Sequence, residues 1–235
     1  MDFNDYANNY SQEIENAFPG NSLKHEPFLL EKANQLISLT KGIWTNSEDL
    51  RVLDVGCGTG LMESFLNNKF KSLVGVDIAF DAIQKAKQSG LNTQFIHYDG
   101  KKLPFSNNEF DVVFACCVFH HIPPMQRFDT VKDMYRVVAP GGLVVIFEHN
   151  PWNPLTRLVV SRCEFDRDAI LLRNRESTNL LKAGGFDKIL SRQMFYFPWR
   201  SKFWKQLERL ISWLPLGAQY FVAGCKPTSE GAAQG

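Results

Sequence analysis

The residues best equipped for chemistry stand where short apolar runs end. Val52-Leu53-Asp54-Val55-Gly56-Cys57-Gly58-Thr59-Gly60 is an apolar run that closes in three spaced glycines and then opens a helical pattern. Without side chains in the way, backbone can approach a ligand closely there. The amides that start the helix favour a carboxylate or phosphate. A tight structural turn has the same spelling, but the strand before it, the helix after it and Asp54 inside it favour a ligand loop. The next apolar run ends in Val74-Gly75-Val76-Asp77. A carboxylate has two acceptor oxygens that match a vicinal diol, and the distance of Asp77 from the glycine loop fits the ~20-residue spacing of a nucleoside-binding acid. Its structural alternative, capping the following helix, is better served by Asp81. Tyr98-Asp99-Gly100 closes a third run; taken alone, Asp99 could simply close an Asx-turn.

Two further runs end in histidine. Ala115-Cys116-Cys117-Val118-Phe119-His120-His121-Ile122 and Glu148-His149-Asn150-Pro151-Trp152-Asn153-Pro154 leave the chain at what would be the carboxyl edge of a sheet. Ligands gather at that edge in open α/β folds. Imidazole titrates near neutrality, so His120, His121 and His149 are candidate general bases, with packed residues as the structural alternative. Glu148 shares the address and is assigned to a substrate-side wall. The prolines at 151 and 154 predict an extended loop rather than a helix; a rigid connection with Trp152 packed beneath it is the structural alternative to the wall.

These residues need a scaffold that brings strand ends together. Short apolar segments at 51–55, 72–78, 93–98, 110–117 and 143–148 alternate with helical patterns at 60–68, 81–88 and 126–138, the last ended by Pro140-Gly141-Gly142. Such alternation predicts right-handed crossovers and a doubly wound, mostly parallel α/β sheet. Ahead of it, residues 1–45 read as a helical arm with Phe3, Tyr6, Tyr10 and Phe18, followed by an apolar stripe over 25–40. After it come a helix at 176–183, strands at 188–197 and 219–225, and a helical insertion at 201–214 between them. We read one domain, 1–235: arm, ligand-binding core at 50–150, substrate-side segments at 151–227, and a small polar tail at 228–235 expected to be disordered.

Composition narrows the classes. With 26 basic and 25 acidic residues there is no basic excess for a nucleic-acid backbone. Five cysteines without paired short spacings argue against a disulfide framework or a zinc site, and Cys116 and Cys117, as strand neighbours, should point to opposite faces. No metal is expected. The N-terminus lacks the pattern of a signal peptide and no apolar run reaches ~20 residues, so a cytoplasmic protein without a transmembrane segment is expected.

Asp54-Val55-Gly56-Cys57-Gly58-Thr59-Gly60 resembles the first motif of the class I S-adenosylmethionine-dependent methyltransferases, whereas a dinucleotide loop would carry another glycine where Leu61 stands. Asp77, Asp99 and the 115–122 segment fall where that family has its later motifs. The resemblance covers about 51–148 and is nearest to the subgroup acting on small molecules such as quinones, sterols and sugars. It implies a seven-stranded sheet with an antiparallel last strand, and S-adenosyl-L-methionine as cofactor. The methionine moiety would lie on Asp54, Gly56, Cys57, Gly58, Thr59 and Gly60, with Asp54 near its ammonium. The ribose would fall to Asp77 and Ile78, adenine to Asp99 and Gly100, and backbone at Cys116 would touch the cofactor. The family often has a His at the position of His121. A methyltransferase-like partner subunit without turnover is the alternative.

The acceptor belongs to the tail. Phe203, Trp204, Leu207, Leu210, Ile211 and Leu214 form one stripe at helical spacing. That helix could pack on the core, the commonest fate. It could also cap an apolar substrate, or lie on a membrane surface with Lys202, Lys205 and Arg209 toward headgroups. With Phe195, Tyr196, Phe197 and Trp199 just before it, an apolar or lipid-linked acceptor is one reading. Oligomeric state is not legible.

Overall fold

Strands at the centre of this molecule are apolar on both faces because helices cover both. The computed structural model describes residues 10–18, 24–197, 202–211 and 213–228. In chain order the elements are α1 (Tyr10–Ala17), α2 (Glu26–Ile43), β1 (Arg51–Val55), α3 (Leu61–Leu66), β2 (Ser72–Asp77), α4 (Phe80–Lys87), β3 (Gln94–His97), β4 (Phe110–Cys116), α5 (Pro124–Val137), β5 (Val138–His149), α6 (Pro154–Arg162), α7 (Asn174–Ala183), β6 (Asp187–Met194), α8 (Lys202–Ile211) and β7 (Gln219–Cys225). The seven strands form one sheet ordered β3-β2-β1-β4-β5-β7-β6. β7 runs antiparallel to both of its neighbours, and the other pairings are parallel. Successive side chains alternate faces: Leu53, Val113 and Val144 join one core layer, and Val52, Val112 and Val145 the other. Strand order reverses between β1 and β4, which opens a crevice at their carboxyl ends.

Three local departures from the sequence reading have physical causes. Pro140-Gly141-Gly142 does not end the α5 segment before a fresh strand; β5 begins at Val138, opposite Phe110, and bulges before Leu143 pairs with Val112. The chain after β7 makes this possible, because Lys226 O accepts from Gly141 N and Lys226 N donates to Gly142 O. Pro154 starts a helix instead of prolonging a loop. Proline suits the first helical position, and the Asn153 side chain accepts the Thr156 amide at 3.0 Å. Trp152 is 63% exposed under the Arg173 guanidinium rather than packed beneath the loop.

Both flanks lie over the crevice. Ala17 of α1 packs with Val159 and Cys163, so the arm docks on α6. The stripe of α8 enters the core only in part: Trp204, Leu207 and Ile211 are half-buried, while Phe203 and Leu210 stay 66% and 74% exposed. Phe3, Tyr6, Trp199, residues 229–235 and the side chains of Tyr10, Lys202, Lys205 and Arg209 lie outside the described residues. Among the described residues, no helix is long and apolar enough to cross a membrane.

Candidate active site

β1 delivers the glycine loop onto the end of β2, where Val76 O accepts both Gly56 N and Cys57 N. All three glycines have positive φ, but they are needed for different reasons. A Cβ on Gly56 would be driven into the Val118 side chain, and one on Gly60 would come within 2.8 Å of the Phe95 ring. A Cβ on Gly58 would meet nothing within 4 Å. Gly56 and Gly60 therefore let neighbouring parts close up, while Gly58 turns its edge to a cavity of about 780 Å³. That size falls inside the roughly 300–1,000 Å³ range of small-ligand sites.

The donor-side residues gather there, with one exception. Asp54, Gly56, Cys57, Gly58, Thr59, Asp77, Ile78, Asp99, Gly100 and Cys116 all line the cavity; Gly60 does not. Asp77 Oδ2 accepts Gly58 N and Oδ1 accepts Ala79 N, both at 2.8 Å. The amide ahead of α4 is thus held by Asp77, where the sequence reading gave the capping role to Asp81. Burial raises the Asp77 carboxyl, and those amide bonds oppose the shift. Each carboxylate oxygen keeps a further lone pair for a ligand hydroxyl. Asp99 also makes a turn, accepting Lys101 N at 3.0 Å.

Asp54 has a neighbour to which no motif pointed. Glu63, in the first turns of α3, is fully buried beside it, and neither Asp54 Oδ1 nor the Glu63 carboxyl meets a donor among the described residues. Burial, then the Glu63 charge, lifts the Asp54 carboxyl well above the usual carboxylate range. Burial likewise pushes Glu63 up to about 7. The two carboxyls face each other and share a hydrogen bond when one is protonated; with Asp54 at the cavity wall, the pair suits a ligand ammonium.

The other end is a histidine cluster. His120 is buried between two carboxylates, with Nδ1 2.6 Å from Glu148 Oε2 and Nε2 3.3 Å from Asp166 Oδ1. Burial opposes charge on this ring, but the Glu148 and Asp166 carboxylates outweigh it and hold its pKa well above the ordinary imidazole value. His121 Nε2 lies 3.3 Å from the same Asp166 oxygen, and burial lowers its pKa. His149 is half-buried, its Nδ1 3.2 Å from Gln219 Nε2. All three histidines line the cavity.

Glu148 does not form the substrate-side wall. It is fully buried behind the histidines, where it also accepts the amides of Phe119 and His149, because a carboxylate with three donors needs no solvent. Cys116 and Cys117 do not point apart either. β4 ends at Cys116, and Cys117 has φ of 59°, which swings both sulfurs to within 3.5 and 3.2 Å of Lys32 Nζ. Burial opposes charge on Lys32, yet the two sulfurs raise its pKa. The bond from Cys116, ahead of Lys32 itself, lowers the Cys117 thiol.

A model of the methyltransferase domain matches residues 52–142. The chain is 30% identical over 111 residues to an uncharacterized methyltransferase of Synechocystis sp., covering 45% of this chain and 52% of that protein. It is 35% identical over 130 residues to a ubiquinone/menaquinone biosynthesis C-methyltransferase of Ectopseudomonas mendocina, covering 49% and 48%. The matches thus span about half the length of these curated relatives. Among solved structures, an S-adenosylmethionine-dependent methyltransferase of Thermotoga maritima superposes with a TM-score of 0.65 at 16% identity, over 95% of this chain and 98% of that one. That likeness speaks for the fold, and the order of the seven strands with β7 reversed agrees with it. Residues 52–142 thus match a methyltransferase domain, and the glycine loop and the order of the seven strands agree with the fold of the class I S-adenosylmethionine-dependent methyltransferases.

Proposed function

We propose that this protein transfers a methyl group from S-adenosyl-L-methionine to a small acceptor with an apolar body. The observation that carries the reading is one cavity lined by two unlike sets of groups: the open edge of Gly58 with the buried Asp54 Oδ1, and three imidazoles. When bound, the cofactor's sulfonium supplies an electrophilic methyl group. Asp54, supported by Glu63, receives the ammonium; Asp77 takes the ribose hydroxyls with Ile78 beside them; Asp99 and Gly100 meet the adenine edge. These groups fix one reactant so that encounter with the other is a matter of orientation.

The histidines divide the remaining work. His120, held as a cation between Glu148 and Asp166, is the positioning residue. Burial keeps His121 neutral near neutrality, so its ring can accept a proton from a hydroxyl acceptor; His149 is the second group able to do so. Phe28, Phe165 and Phe195 line the cavity and favour an apolar or ring-bearing acceptor. A quinone-type acceptor agrees with the name of the Ectopseudomonas relative. Glu208 of α8 accepts the amides of Tyr196 and Phe197, both at the cavity wall, so the exposed Phe203, Leu210 and Trp213 stand close to its rim. Lipid-linked acceptors could be drawn from a membrane surface there.

Calorimetry with S-adenosylhomocysteine should show one site, and turnover with short-chain hydroquinones should release S-adenosylhomocysteine. Binding without turnover on any acceptor of an apolar, polar and amine panel would favour the partner-subunit reading. NADH titration and retention of RNA or DNA should both be blank. Co-sedimentation absent from both neutral and anionic vesicles would remove the membrane-surface element alone.

A further inference from the structure

We propose that His120 Nε2, His121 Nε2 and Asp166 Oδ1 form a three-ligand site for a divalent first-row transition metal, zinc foremost. The inference rests on ligand geometry and not on the methyl-transfer reading; with the ion bound, His121 Nε2 is a ligand and His149 is the imidazole left to accept a proton. One ligand atom from each of the three residues lies within 4.8 Å of the others, and the Asp166 oxygen is 3.3 Å from the Nε2 of each imidazole. Such a separation is long for a hydrogen bond, whose usual N···O range is ~2.7–3.2 Å. It equals the edge of a tetrahedron with metal–ligand bonds of about 2.0–2.1 Å. A single carboxylate oxygen placed equally from two imidazole nitrogens is what one metal vertex shared by three ligands would look like.

The surrounding groups fit the same reading. Glu148 Oε2 accepts from His120 Nδ1 at 2.6 Å, so that nitrogen keeps its proton when a metal binds, while the proton that Nε2 holds toward Asp166 is released and its lone pair turned to the ion. A carboxylate behind a ligating imidazole is the usual outer partner of a metal-bound histidine. Two nitrogens and one oxygen suit zinc or its neighbours better than magnesium or calcium, which prefer oxygen. The segment bearing Asp166 is tied to the histidines, because Ile170 N donates to His120 O. Arg127 clamps both pieces by donating to Phe119 O, Ile122 O and Ile170 O. All three ligands line the cavity, which leaves a fourth position for water or an acceptor oxygen. The cysteine count, from which no zinc site was expected, is silent on such a site because no cysteine takes part.

The test is a cobalt(II) titration of the chelator-stripped full chain, followed by visible absorption, with zinc stoichiometry from equilibrium dialysis. One Co²⁺ per chain is expected, with the intense ligand-field bands of a four-coordinate nitrogen and oxygen site. His121→Ala and Asp166→Asn should each weaken binding by about 100-fold or more, and Glu148→Gln by about 10–100-fold. Circular dichroism and a melting curve establish that each variant is folded; Asp166→Asn keeps the side-chain shape, and if one ligand variant fails to fold the other decides. Cys117→Ser should bind as the parent does. Absence of stoichiometric Co²⁺, binding that a folded ligand variant does not weaken, or a thiolate-to-cobalt charge-transfer band from Cys116 and Cys117 would each overturn the assignment.

Discussion

Around the glycine loop the cavity is shaped by the backbone turn at residues 54–60, held by a carboxylate 19 positions after Gly58. Around the histidines the groups are side chains, drawn from α2, from the turn after β4, from the tip of β5 and from the turn at Glu164–Asp166. The first construction presents one shape, set by backbone geometry that few substitutions preserve. The second can change its chemistry one residue at a time while β4 and β5 stay in place. A domain assembled this way keeps its methyl donor and can vary its acceptor.

The sharpest break between the two ends should come from Glu148→Ala. This change strips the partner from His120 and leaves the Phe119 and His149 amides without their acceptor, all in a dry interior. Removing one member of a buried charged set costs about 3–5 kcal/mol. Denaturant unfolding should register that loss. S-adenosylhomocysteine affinity of the folded fraction should remain near the parent value, since Glu148 lies outside the cavity. If affinity collapses as well, the two ends are not separable.

Within the donor end, two glycines should respond differently to the same added methyl. Gly56→Ala combines φ of 87° with collision against Val118 and should lose roughly 2–4 kcal/mol of stability. Gly58→Ala, at φ of 54° with open space, should lose only about 1–2 kcal/mol. Its methyl projects where the ligand would lie, so S-adenosylhomocysteine binding should fall by about tenfold or more, some 1.4 kcal/mol. Equal melting temperatures for the two variants would contradict the division between packing and access. Asp77→Ala sits between these cases. It should weaken cofactor binding by about 1.5–3 kcal/mol, the scale of hydrogen bonds to a charged group, and calorimetry would measure it. Near-parent affinity would remove the ribose from Asp77.

The same contrast explains what could be read before the structure. The glycine-loop end is contiguous: an apolar strand, spaced glycines and acids at fixed distances keep their meaning in one dimension, and the mostly parallel sheet followed from the alternation around them. Lys32 left a trace, since it falls on the α2 stripe with Leu29, Ala33 and Leu36, but only the fold shows that the stripe carries it to two sulfurs 84 and 85 residues on. Asp166 left none, because a single turn 46 residues from His120 has no period to betray its direction. The loop at Pro151–Pro154 misled for a related reason. Proline forbids helix interiors but favours helix starts, and the choice rests on the capping bond from Asn153.

Glu63 offers the smallest expected effect and the finest test of the donor end. Its folded pKa of about 7 stands above the usual 4.5, with burial as the leading cause, so between those values the folded state holds a proton that the unfolded chain has released. Stability therefore declines as pH rises through that window: the contribution is complete below the unfolded pKa and gone above the folded one. Glu63→Gln cannot lose the proton. The cofactor-free variant should thus be more stable than the parent at pH 8, by roughly 1–3 kcal/mol for a fully buried group, and nearly equal to it at about pH 4. An ammonium beside Asp54 would compensate the same charge, so saturating S-adenosylhomocysteine should shrink the difference at pH 8 in melting experiments. A gap that persists unchanged with ligand would mean that the ammonium is held elsewhere, and the carboxyl pair would then belong to the architecture of the glycine loop rather than to its ligand.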